Sequence, residues 1–460
     1  MIERPQVDIK SFNRVYFIGI GGIGMSALAR YFKRQGLPVA GYDKTPSPLT
    51  HALSLEGINV HFEDRASDVI GVYRSNEDTL VVYTPAIPEE MGELSFFRKN
   101  GYVVLKRAQV LGLITRSSKA LGVAGTHGKT TTSTMLAHIM NESELGCNAF
   151  LGGIATNFNS NFVSHESSPW TVIEADEFDR SFLQLTPFGT IITSTDADHL
   201  DIYGDTDVFL EGFKEYVKCI RKDGFSVSHI DVELDISSSK TYAVGRKADY
   251  QGGNLRFQDA RFMFDVTLPD GVVWEAVELG IPGIHNAENA IACIAMVLEL
   301  GLTEDLIRKA LKSFKGVKRR FEYHVRKEDV VYIDDYAHHP TEIKALIDSV
   351  KLLYPNQKII GVFQPHLYSR TRDFFDGFVE QLSRLDELIL LPIYPARELP
   401  IEGVTSEKLL DQIDLKAKTL LSGNEVLGYF EDGVNGVVLT IGAGDIDRIV
   451  RGLTEKLTAE

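Results

Sequence analysis

Short apolar runs alternate with longer amphipathic stretches through most of the chain. Such runs predict buried strands, and apolar positions spaced three and four residues apart predict helices. In the first part of the chain, a predicted helix at 26–35 follows the first strand. The strands predicted there are 15–20, 37–42, 79–83 and 102–105. Because strands that alternate with helices form parallel, doubly wound sheets, we expect a Rossmann-like α/β domain over 1–107.

The same alternation begins again twice further along the chain. The second part contains predicted strands at 120–124, 171–174 and 190–193, a hairpin across 261–279, and helices at 130–140, 286–299 and 303–314. The third part contains predicted strands at 330–333, 358–363, 387–391 and 436–441, and helices at 341–351 and 374–382. Residues 226–258 follow neither period, so we expect less regular structure there. We expect a central domain with a mainly parallel sheet over 108–320 and a second Rossmann-like domain over 321–460.

The composition narrows the classes of function. Asp and Glu number 64 against 48 Lys and Arg, which gives a formal net charge of −16. An acidic chain repels phosphate backbones, so we expect no nucleic-acid partner. No apolar run approaches the roughly 20 residues that span a bilayer, and the N-terminus lacks the apolar core of a signal peptide. Three widely spaced cysteines fit a reducing compartment. Together with the lack of a long apolar run, they lead us to expect a cytoplasmic protein without a membrane partner.

A glycine-rich loop of the form GxGxxG links the first predicted strand to the first helix. Its residues are Gly19, Ile20, Gly21, Gly22, Ile23 and Gly24. Glycines let the backbone approach a diphosphate, whose charge is favoured at the N-terminus of the following helix. Asp43 ends the next predicted strand, where its carboxylate can accept hydrogen bonds from ribose hydroxyls. The pattern leaves open whether the diphosphate belongs to a nicotinamide dinucleotide or to another compound.

A second loop of this kind lies between the predicted strand 120–124 and the helix that follows it. It reads Gly125, Thr126, His127, Gly128, Lys129, Thr130, Thr131 and Thr132. It resembles a Walker A loop, although the first glycine of the standard spacing would fall at Val123. In such a loop, backbone N–H groups hold the phosphates of ATP, Lys129 reaches the outer phosphates, and the Thr130 hydroxyl binds Mg²⁺.

Acidic residues follow two predicted strands of the central domain. The first block, 174–179, begins with Glu174, and the second, 196–201, contains His199. The ends of parallel strands beside a phosphate loop are where an α/β sheet presents its functional groups. Carboxylate oxygens there suit Mg²⁺, which takes one or two carboxylates together with phosphate oxygens. We therefore expect a magnesium site formed by these blocks.

Histidines, arginines and a tyrosine follow two predicted strands of the third domain. The first group contains Tyr336, His338 and His339, and the second contains His366, Tyr368, Arg370 and Arg372. Side chains of this kind form a cationic pocket for a carboxylate. Zinc is the weaker alternative, because the sequence here has neither cysteine nor a helical HxxxH pair.

Eight sequence blocks occur in a fixed order along nearly the whole chain. They are GIGGIGMSALA, AGTHGKTTT, EADEFDRSFL, DADHLDIY, PGIHNAENA, VKRRFE, DDYAHHPTEI and FQPHLYSRT. Together they resemble the Mur ligase family, and eight ordered blocks are far more specific than a single motif. The resemblance implies three domains that bind a UDP-sugar, ATP and an amino acid, in that order. It also implies that the first glycine loop holds a uridine diphosphate and not a nicotinamide cofactor.

The resemblance further implies an activity. This is the ATP-dependent joining of L-alanine to the lactyl carboxylate of UDP-N-acetylmuramate, through an acyl phosphate and with Mg²⁺, in the synthesis of peptidoglycan precursors. The alternatives are a recycling ligase that adds a preformed peptide to the same UDP-sugar, and an NAD-dependent oxidoreductase, in which the second loop would have no role. We expect a monomer or homodimer whose domains close on substrate around a hinge near 316–320.

Residue roles follow from the same resemblance. The ATP-binding residues are Gly125, Thr126, His127, Gly128, Lys129, Thr130, Thr131, Asn289, Arg320 and Asp335. The UDP-sugar-binding residues are Gly19, Gly21, Gly22, Ile23, Gly24, Asp43, Thr84 and His199. The amino-acid-binding residues are Tyr336, His338 and Arg370, and the metal ligands are Thr130, Glu174 and His199. The catalytic residues are Lys129, His199, His338, His339 and Arg370.

Overall fold

The computed structural model describes residues 4–66, 69, 71–196, 206–236, 239–258, 261–396, 398–431 and 433–459. Within these ranges the chain forms three β-sheets with helices between their strands. The α/β class predicted from the sequence is confirmed. No helix among the described residues is long and apolar enough to cross a membrane.

The first sheet has five parallel strands. They are β1 (Arg14–Ile18), β2 (Val39–Tyr42), β3 (Asn59–His61), β4 (Thr79–Tyr83) and β5 (Val103–Lys106). The helices are α1 (Ile23–Arg34), α2 (Pro48–Leu55), α3 (Gly92–Lys99) and, after β5, α4 (Arg107–Arg116). The strand order is β3-β2-β1-β4-β5, so β1 lies between β2 and β4. The loop after β1 is therefore at the point where the strand order reverses, which is where open α/β sheets bind ligands.

The second sheet has ten strands. They are β6 (Lys119–Ala124), β7 (Asn148–Ala155), β8 (Ser160–Val163), β9 (Trp170–Glu174), β10 (Gly189–Ile192), β11 (Phe225–His229), β12 (Ser239–Val244), β13 (Tyr250–Gln258), β14 (Arg261–Thr267) and β15 (Val273–Leu279). The helices that follow in this part are α5 (Lys129–Asn141), α6 (Thr206–Val217), α7 (Ile284–Leu298) and α8 (Glu304–Ser313). The strand order is β15-β14-β13-β12-β11-β10-β6-β9-β7-β8. Because β9 and β10 both pair with β6 in parallel, the loop after β6 and the segments after β9 and β10 share one edge.

One expectation for this part of the chain is wrong. Residues 226–258, for which the sequence predicts less regular structure, contain β11, β12 and β13. The apolar alternation is absent because hydroxyls occupy buried positions there. Ser226 and Ser228 are buried on β11, and the hydroxyls of Ser228 and Ser239 lie 3.0 Å apart in a hydrogen bond between β11 and β12.

The third sheet has six strands. They are β16 (Glu322–Arg326), β17 (Val330–Asp335), β18 (Ile359–Phe363), β19 (Glu387–Leu390), β20 (Lys418–Leu420) and β21 (Gly436–Ile441). The helices are α9 (Pro340–Leu353), α10 (Tyr368–Asp373), α11 (Phe375–Leu382), α12 (Ser406–Gln412), α13 (Gly423–Tyr429) and α14 (Asp447–Ala459). The order is β16-β17-β21-β18-β19-β20, with β16 antiparallel to β17 and the remaining neighbours parallel. The segments after β17 and β18 therefore leave the sheet at the same edge.

The chain divides into two compact units. One contains the first two sheets and comprises the chain up to Asn254 together with Phe264–Glu278 and Glu288–Lys315. The other contains the third sheet and comprises Leu255–Met263, Leu279–Ala287 and the chain from Gly316 onward. The limits of the three domains predicted from the sequence stay a prediction.

Candidate active site

Asp43 holds the glycine-rich loop after β1. Its carboxylate accepts a hydrogen bond from the Gly21 N–H at 2.7 Å and one from the Thr45 N–H at 3.1 Å. Gly19 has a φ of +84°, in the left-handed region that favours glycine, and a side chain there would come within 2.7 Å of Thr84 Cγ2. Asp43 and Thr84 therefore lie beside the loop itself. Their contact with a UDP-sugar stays a prediction.

The start of α1 offers backbone donors. Gly22 is the N-cap residue, and no side chain among the described residues caps the N–H groups of the first turn, which begins at Ile23. Uncapped N–H groups at a helix N-terminus bind anions, because they are unsatisfied and the helix dipole is positive there. The loop thus has the geometry of the diphosphate site that the sequence predicts.

A cavity of about 140 Å³ opens beside this first turn, within the same compact unit. Its apolar wall consists of Ala27, Leu28, Leu111, Phe150 and Leu151. Its remaining lining consists of Ile23, Gly24, Arg107, Gly152, Glu174 and Asp176. Arg107 donates a hydrogen bond to Asp176 at 3.1 Å between Nη2 and Oδ2. The cavity therefore joins the glycine loop of the first sheet to the end of β9 in the second.

The loop after β6 has backbone angles that glycine favours. The φ angles of Gly125 and Gly128 are +132° and +79°, and Gly128 is the N-cap residue of α5. A side chain at Gly125 would come within 2.1 Å of the Thr193 hydroxyl oxygen. That hydroxyl donates to the His127 carbonyl at 2.5 Å and lies 3.2 Å from the Ala124 carbonyl oxygen. The residue after β10 therefore fixes the loop in a conformation that leaves the N-terminus of α5 open to phosphate.

Other residues predicted at the nucleotide lie in or against this loop. The Thr126 hydroxyl donates to the Asp196 carbonyl at 2.6 Å, and the His127 N–H donates to the Ser194 hydroxyl at 3.0 Å. Asn289, on α7, is buried, and a methyl group on Gly128 would come within 2.9 Å of its Oδ1. The structure thus places Thr126, His127 and Asn289 with the loop, while their contacts with ATP stay predictions.

Lys129 forms a buried ion pair with Glu177. Its Nζ lies 2.7 Å from Glu177 Oε1 and also donates to the carbonyls of Gly125 and Thr126 at 2.6 and 3.1 Å. Burial lowers the pKa of Lys129, but Glu177, Asp176 and Glu174 outweigh it and raise that pKa. Burial also raises the pKa of Glu177 to about 7, against the opposing charge of Lys129. Lys129 is therefore a cation held within the phosphate loop.

Thr130 and Glu174 provide adjacent oxygen atoms at the start of α5. The Thr130 hydroxyl donates to Glu174 Oε1 at 3.0 Å, and Glu174 Oε2 accepts from the Gly152 N–H at 3.0 Å. A side chain at Gly152 would come within 2.2 Å of Glu174 Oε2, so glycine makes room for the carboxylate. A hydroxyl next to a carboxylate fits the oxygen ligands that Mg²⁺ takes. The third predicted ligand, His199, lies outside the described residues.

In the second compact unit, Tyr336 lies between two arginines. The guanidinium carbons of Arg319 and Arg320 are each 5.4 Å from the centre of its ring, and the Tyr336 N–H donates to the Arg319 carbonyl at 2.6 Å. Arg319 also donates to Asp334 at 3.2 Å and has a φ of +61°. This backbone conformation is uncommon for arginine, and the hydrogen bonds at both ends of the residue hold it in place.

Asp335, a predicted ATP ligand, accepts hydrogen bonds from the protein backbone. The N–H groups of Phe321 and Ala337 donate to its two oxygens at 2.7 Å each. Burial raises the pKa of Asp335 to about 7, although these two hydrogen bonds lower it. The side chain therefore ties the segments before β16 and after β17 together, and its binding to ribose stays a prediction.

The histidine–arginine group predicted after β17 and β18 does come together. The rings of His338 and His366 are 6.1 Å apart, and Arg370 Nη1 lies 3.4 Å from His366 Nδ1. His338 Nδ1 lies 2.9 Å from the Tyr336 carbonyl oxygen, in a hydrogen bond that fixes its ring. His339 is buried and caps α9, where its Nδ1 accepts from the Thr341 N–H at 3.3 Å.

Three contributors are absent from the sequence-based assignments: Glu177, Arg107 and Arg319. Glu177 belongs to an acidic block for which the sequence predicts only a metal role. Arg107 follows Lys106 at the end of β5, and that basic pair is the one available signal. The triplet Glu322, His324 and Asp334 also has donor atoms close enough for a metal, but the Arg319 guanidinium already binds Asp334.

Family models match most of the chain. They are the "Mur ligase family, catalytic domain" at 14–119, the "Mur ligase middle domain" at 123–297 and the "Mur ligase, glutamate ligase domain" at 319–446. A UDP-N-acetylmuramate–L-alanine ligase from Parabacteroides distasonis is 49% identical over 456 residues, which cover 98% of each chain.

Solved structures agree with this similarity. A UDP-N-acetylmuramate–alanine ligase from Thermotoga maritima superposes with a TM-score of 0.83 at 28% identity, covering 97% of this chain and 99% of that one. A murein peptide ligase from Psychrobacter arcticus has a TM-score of 0.67 at 21% identity, covering 96% of this chain and 98% of that one, a likeness that shows the fold alone. The sequence-based family assignment and the three-part α/β fold are confirmed, and the chain belongs to the Mur ligase family.

Proposed function

We propose that the chain joins L-alanine to the lactyl carboxylate of UDP-N-acetylmuramate at the expense of ATP. The observation that carries this proposal is the cavity lined by both Gly24 and Glu174. It connects a diphosphate-binding helix start with the phosphate loop, so one substrate can reach from the first sheet to the nucleotide. The name of the relative that is 49% identical supports the same reaction.

The phosphate loop supplies the ATP site. Backbone N–H groups at Gly128 and the start of α5 face the phosphates, and Lys129 leaves Glu177 to compensate the charge of the outer phosphates. Thr130 and Glu174 would hold Mg²⁺ together with His199. When bound, this cation screens the γ-phosphate from the incoming carboxylate and supports transfer of the phosphoryl group.

The reaction proceeds in two steps. A lactyl carboxylate oxygen attacks the γ-phosphorus, the bond to the bridging oxygen breaks, and ADP leaves. The alanine nitrogen then attacks the carbonyl carbon of the acyl phosphate, loses a proton and expels inorganic phosphate. Activation is needed because a free carboxylate is a poor electrophile, and the protein contributes mainly position and charge.

The second compact unit supplies the groups for the amino acid. Tyr336, His338 and Arg370 would bind L-alanine, since guanidinium groups bind carboxylates through paired hydrogen bonds. His338 and His339 are candidate bases for the ammonium proton. His338 is favoured, because His339 is buried and already caps α9 through Nδ1. A reaction that consumes ATP and a nucleotide sugar belongs in the cytoplasm.

The two alternatives fit less well. An NAD-dependent oxidoreductase gives the ion pair of Lys129 and Glu177 no role. A ligase for a preformed peptide would share every nucleotide contact described above and would differ only at the amino-acid pocket. The 49% identical relative, which is named for L-alanine, favours the single amino acid.

The acyl phosphate provides the test. With ¹⁸O at both oxygens of the lactyl carboxylate of UDP-N-acetylmuramate, one ¹⁸O atom should appear in the released phosphate for each amide formed, and the other should stay in the amide. Mass spectrometry of phosphate and of the alanyl product measures both. Alanyl product with unlabelled phosphate would contradict activation at the carboxylate, and reduction of NAD by the chain would contradict the ligase itself.

A further inference from the structure

We infer that Arg107 recognises the lactyl carboxylate of the sugar substrate and so distinguishes it from UDP-sugars that lack this group. The inference rests on the proposed function and assigns a residue to which neither the motifs nor the family resemblance gives a role. It is carried by the position of Arg107 in the cavity, by its single side-chain hydrogen bond and by the space left for it at Gly24.

Arg107 lies at a position that is electrostatically unfavourable for a cation with only a structural role. Its guanidinium lies against the first turn of α1, since a methyl group on Gly24 would come within 2.2 Å of its Nη1 and 3.0 Å of its Cδ. The N-terminus of a helix carries partial positive charge, so a cation there is unfavourable unless an anion binds both. The third glycine of the GxGxxG pattern therefore makes room for Arg107.

The hydrogen-bonding capacity of Arg107 is mostly unused. Among the described residues its one hydrogen-bond acceptor is Asp176, through Nη2, although a guanidinium has five N–H donors. The exposed fraction is 28% for the Arg107 side chain and 36% for the Asp176 side chain. The cavity thus contains a half-buried cation already paired with one carboxylate and able to bind a second.

The place of this cation favours the lactyl carboxylate over the diphosphate. Nη2 points to Asp176, two residues from Glu174, and Glu174 binds the Thr130 hydroxyl at the phosphate loop. The diphosphate belongs at the uncapped N–H groups of Gly22 and Ile23. Arg107 and Glu174 line the same cavity. A carboxylate bound to Arg107 inside this cavity therefore lies between the glycine loop and the phosphate loop, where the proposed reaction needs it.

Binding of two nucleotide sugars to the full chain tests this assignment. UDP-N-acetylmuramate and UDP-N-acetylglucosamine share the diphosphate and the acetamido group, and only the first carries the lactyl carboxylate. Isothermal titration calorimetry of both ligands would compare the wild type with Arg107→Ala, Arg107→Lys and Arg34→Ala. Arg34, exposed at the far end of α1, controls for the loss of one positive charge.

We expect Arg107→Ala to weaken UDP-N-acetylmuramate binding roughly 10- to 100-fold, the range for one charge-assisted hydrogen-bonded pair. UDP-N-acetylglucosamine binding should change less than about threefold, and Arg34→Ala should change neither. Equal weakening of both ligands would overturn the assignment in favour of the diphosphate. Unchanged binding of both would show that Arg107 only packs on α1.

Arg107→Lys keeps the charge and loses the planar pair of donors, so it should give an intermediate loss confined to UDP-N-acetylmuramate. It preserves the test if Arg107→Ala does not fold. The inference about Arg107 and the proposed function can fail separately. Turnover of the wild type with L-alanine tests the proposed reaction, and it does not depend on how the variants bind the two sugars.

Discussion

Lys129 Nζ lies 2.7 Å from Glu177 Oε1 in a buried ion pair within the phosphate loop. The cation assigned to ATP is therefore paired with a carboxylate of the protein itself. ATP must compete with Glu177 for it, and this competition links nucleotide binding to a proton. When phosphate takes Lys129, Glu177 loses its counter-charge and gains an anionic neighbour, and both changes raise its pKa above about 7.

The first prediction concerns this proton. A carboxyl whose pKa rises on binding takes up a proton, so ATP affinity should fall as pH rises through 7 and above. Calorimetry of ATP binding at pH 7.5, in two buffers of different ionisation enthalpy, measures the uptake. Glu177→Gln should abolish the uptake and flatten the pH dependence between pH 6.5 and 8.5. The same uptake in that variant would mean that another group titrates.

The second prediction concerns the metal. Glu174→Ala removes the carboxylate that binds the Thr130 hydroxyl, so the Mg²⁺ concentration for half-maximal activity should rise at least about tenfold. Glu166→Ala, which removes an exposed carboxylate from the same unit, is the matched control. A Mg²⁺ titration that coincides with the wild type would remove Glu174 from the metal site.

The third prediction separates stability from binding at Gly24. Alanine is favoured over glycine within a helix by about 1 kcal/mol, so propensity alone predicts a more stable protein. The new methyl group would instead displace the Arg107 guanidinium. We expect Gly24→Ala to leave the melting temperature near the wild-type value and to raise the KM for UDP-N-acetylmuramate at least about tenfold. At Gly71 a methyl group meets no atom within 4 Å, so Gly71→Ala should leave the KM unchanged. An unchanged KM in both variants would show that the position of Arg107 against α1 does not matter for binding of the sugar.

The fourth prediction concerns the link between the first two sheets. Asn161 on β8 is buried, donates to the Ile23 carbonyl and the Ser26 hydroxyl, and accepts from Arg30. Asn161→Ala removes these three hydrogen bonds between the sheets and should lower the free energy of unfolding by about 1–3 kcal/mol in urea titrations. Asn76→Ala, at an exposed site with one hydrogen bond to a carbonyl, should cost less than about 0.5 kcal/mol. Equal losses in the two variants would show that Asn161 does not join the sheets.

Elements with a strong local pattern could be predicted from the sequence. The strands at 79–83 and 436–441 have the predicted limits, because five and six successive apolar or small residues are buried in each. The position of Glu174 beside the loop after β6 could also be predicted, because both follow apolar runs that form parallel strands. Their binding of Mg²⁺ and ATP stays a prediction. The strands within 226–258 could not, since buried hydroxyls replace the apolar alternation there.

Contacts between residues that are far apart in the sequence could not be predicted from the local pattern of apolar and polar positions. The pairing of Lys129 with Glu177 depends on the order of β6 and β9 in the sheet, which no periodicity reveals. The contact of Arg107 with α1 depends on how α4 lies against the first helix. The family resemblance assigns ATP, UDP-sugar and amino-acid residues, but it leaves out Glu177 and Arg107, whose roles follow from geometry.

The most direct test of the central claim is phosphate release from ATP and Mg²⁺ with UDP-N-acetylmuramate and one acceptor at a time. The acceptors are L-alanine, glycine, L-serine and the tripeptide. The negative control is Lys129→Ala. This variant should retain less than about a tenth of the wild-type kcat, because the phosphate loses its cationic partner. We expect release that requires L-alanine, with a product of the mass of UDP-N-acetylmuramoyl-L-alanine. Release with the tripeptide alone, or with no acceptor at all, would contradict it.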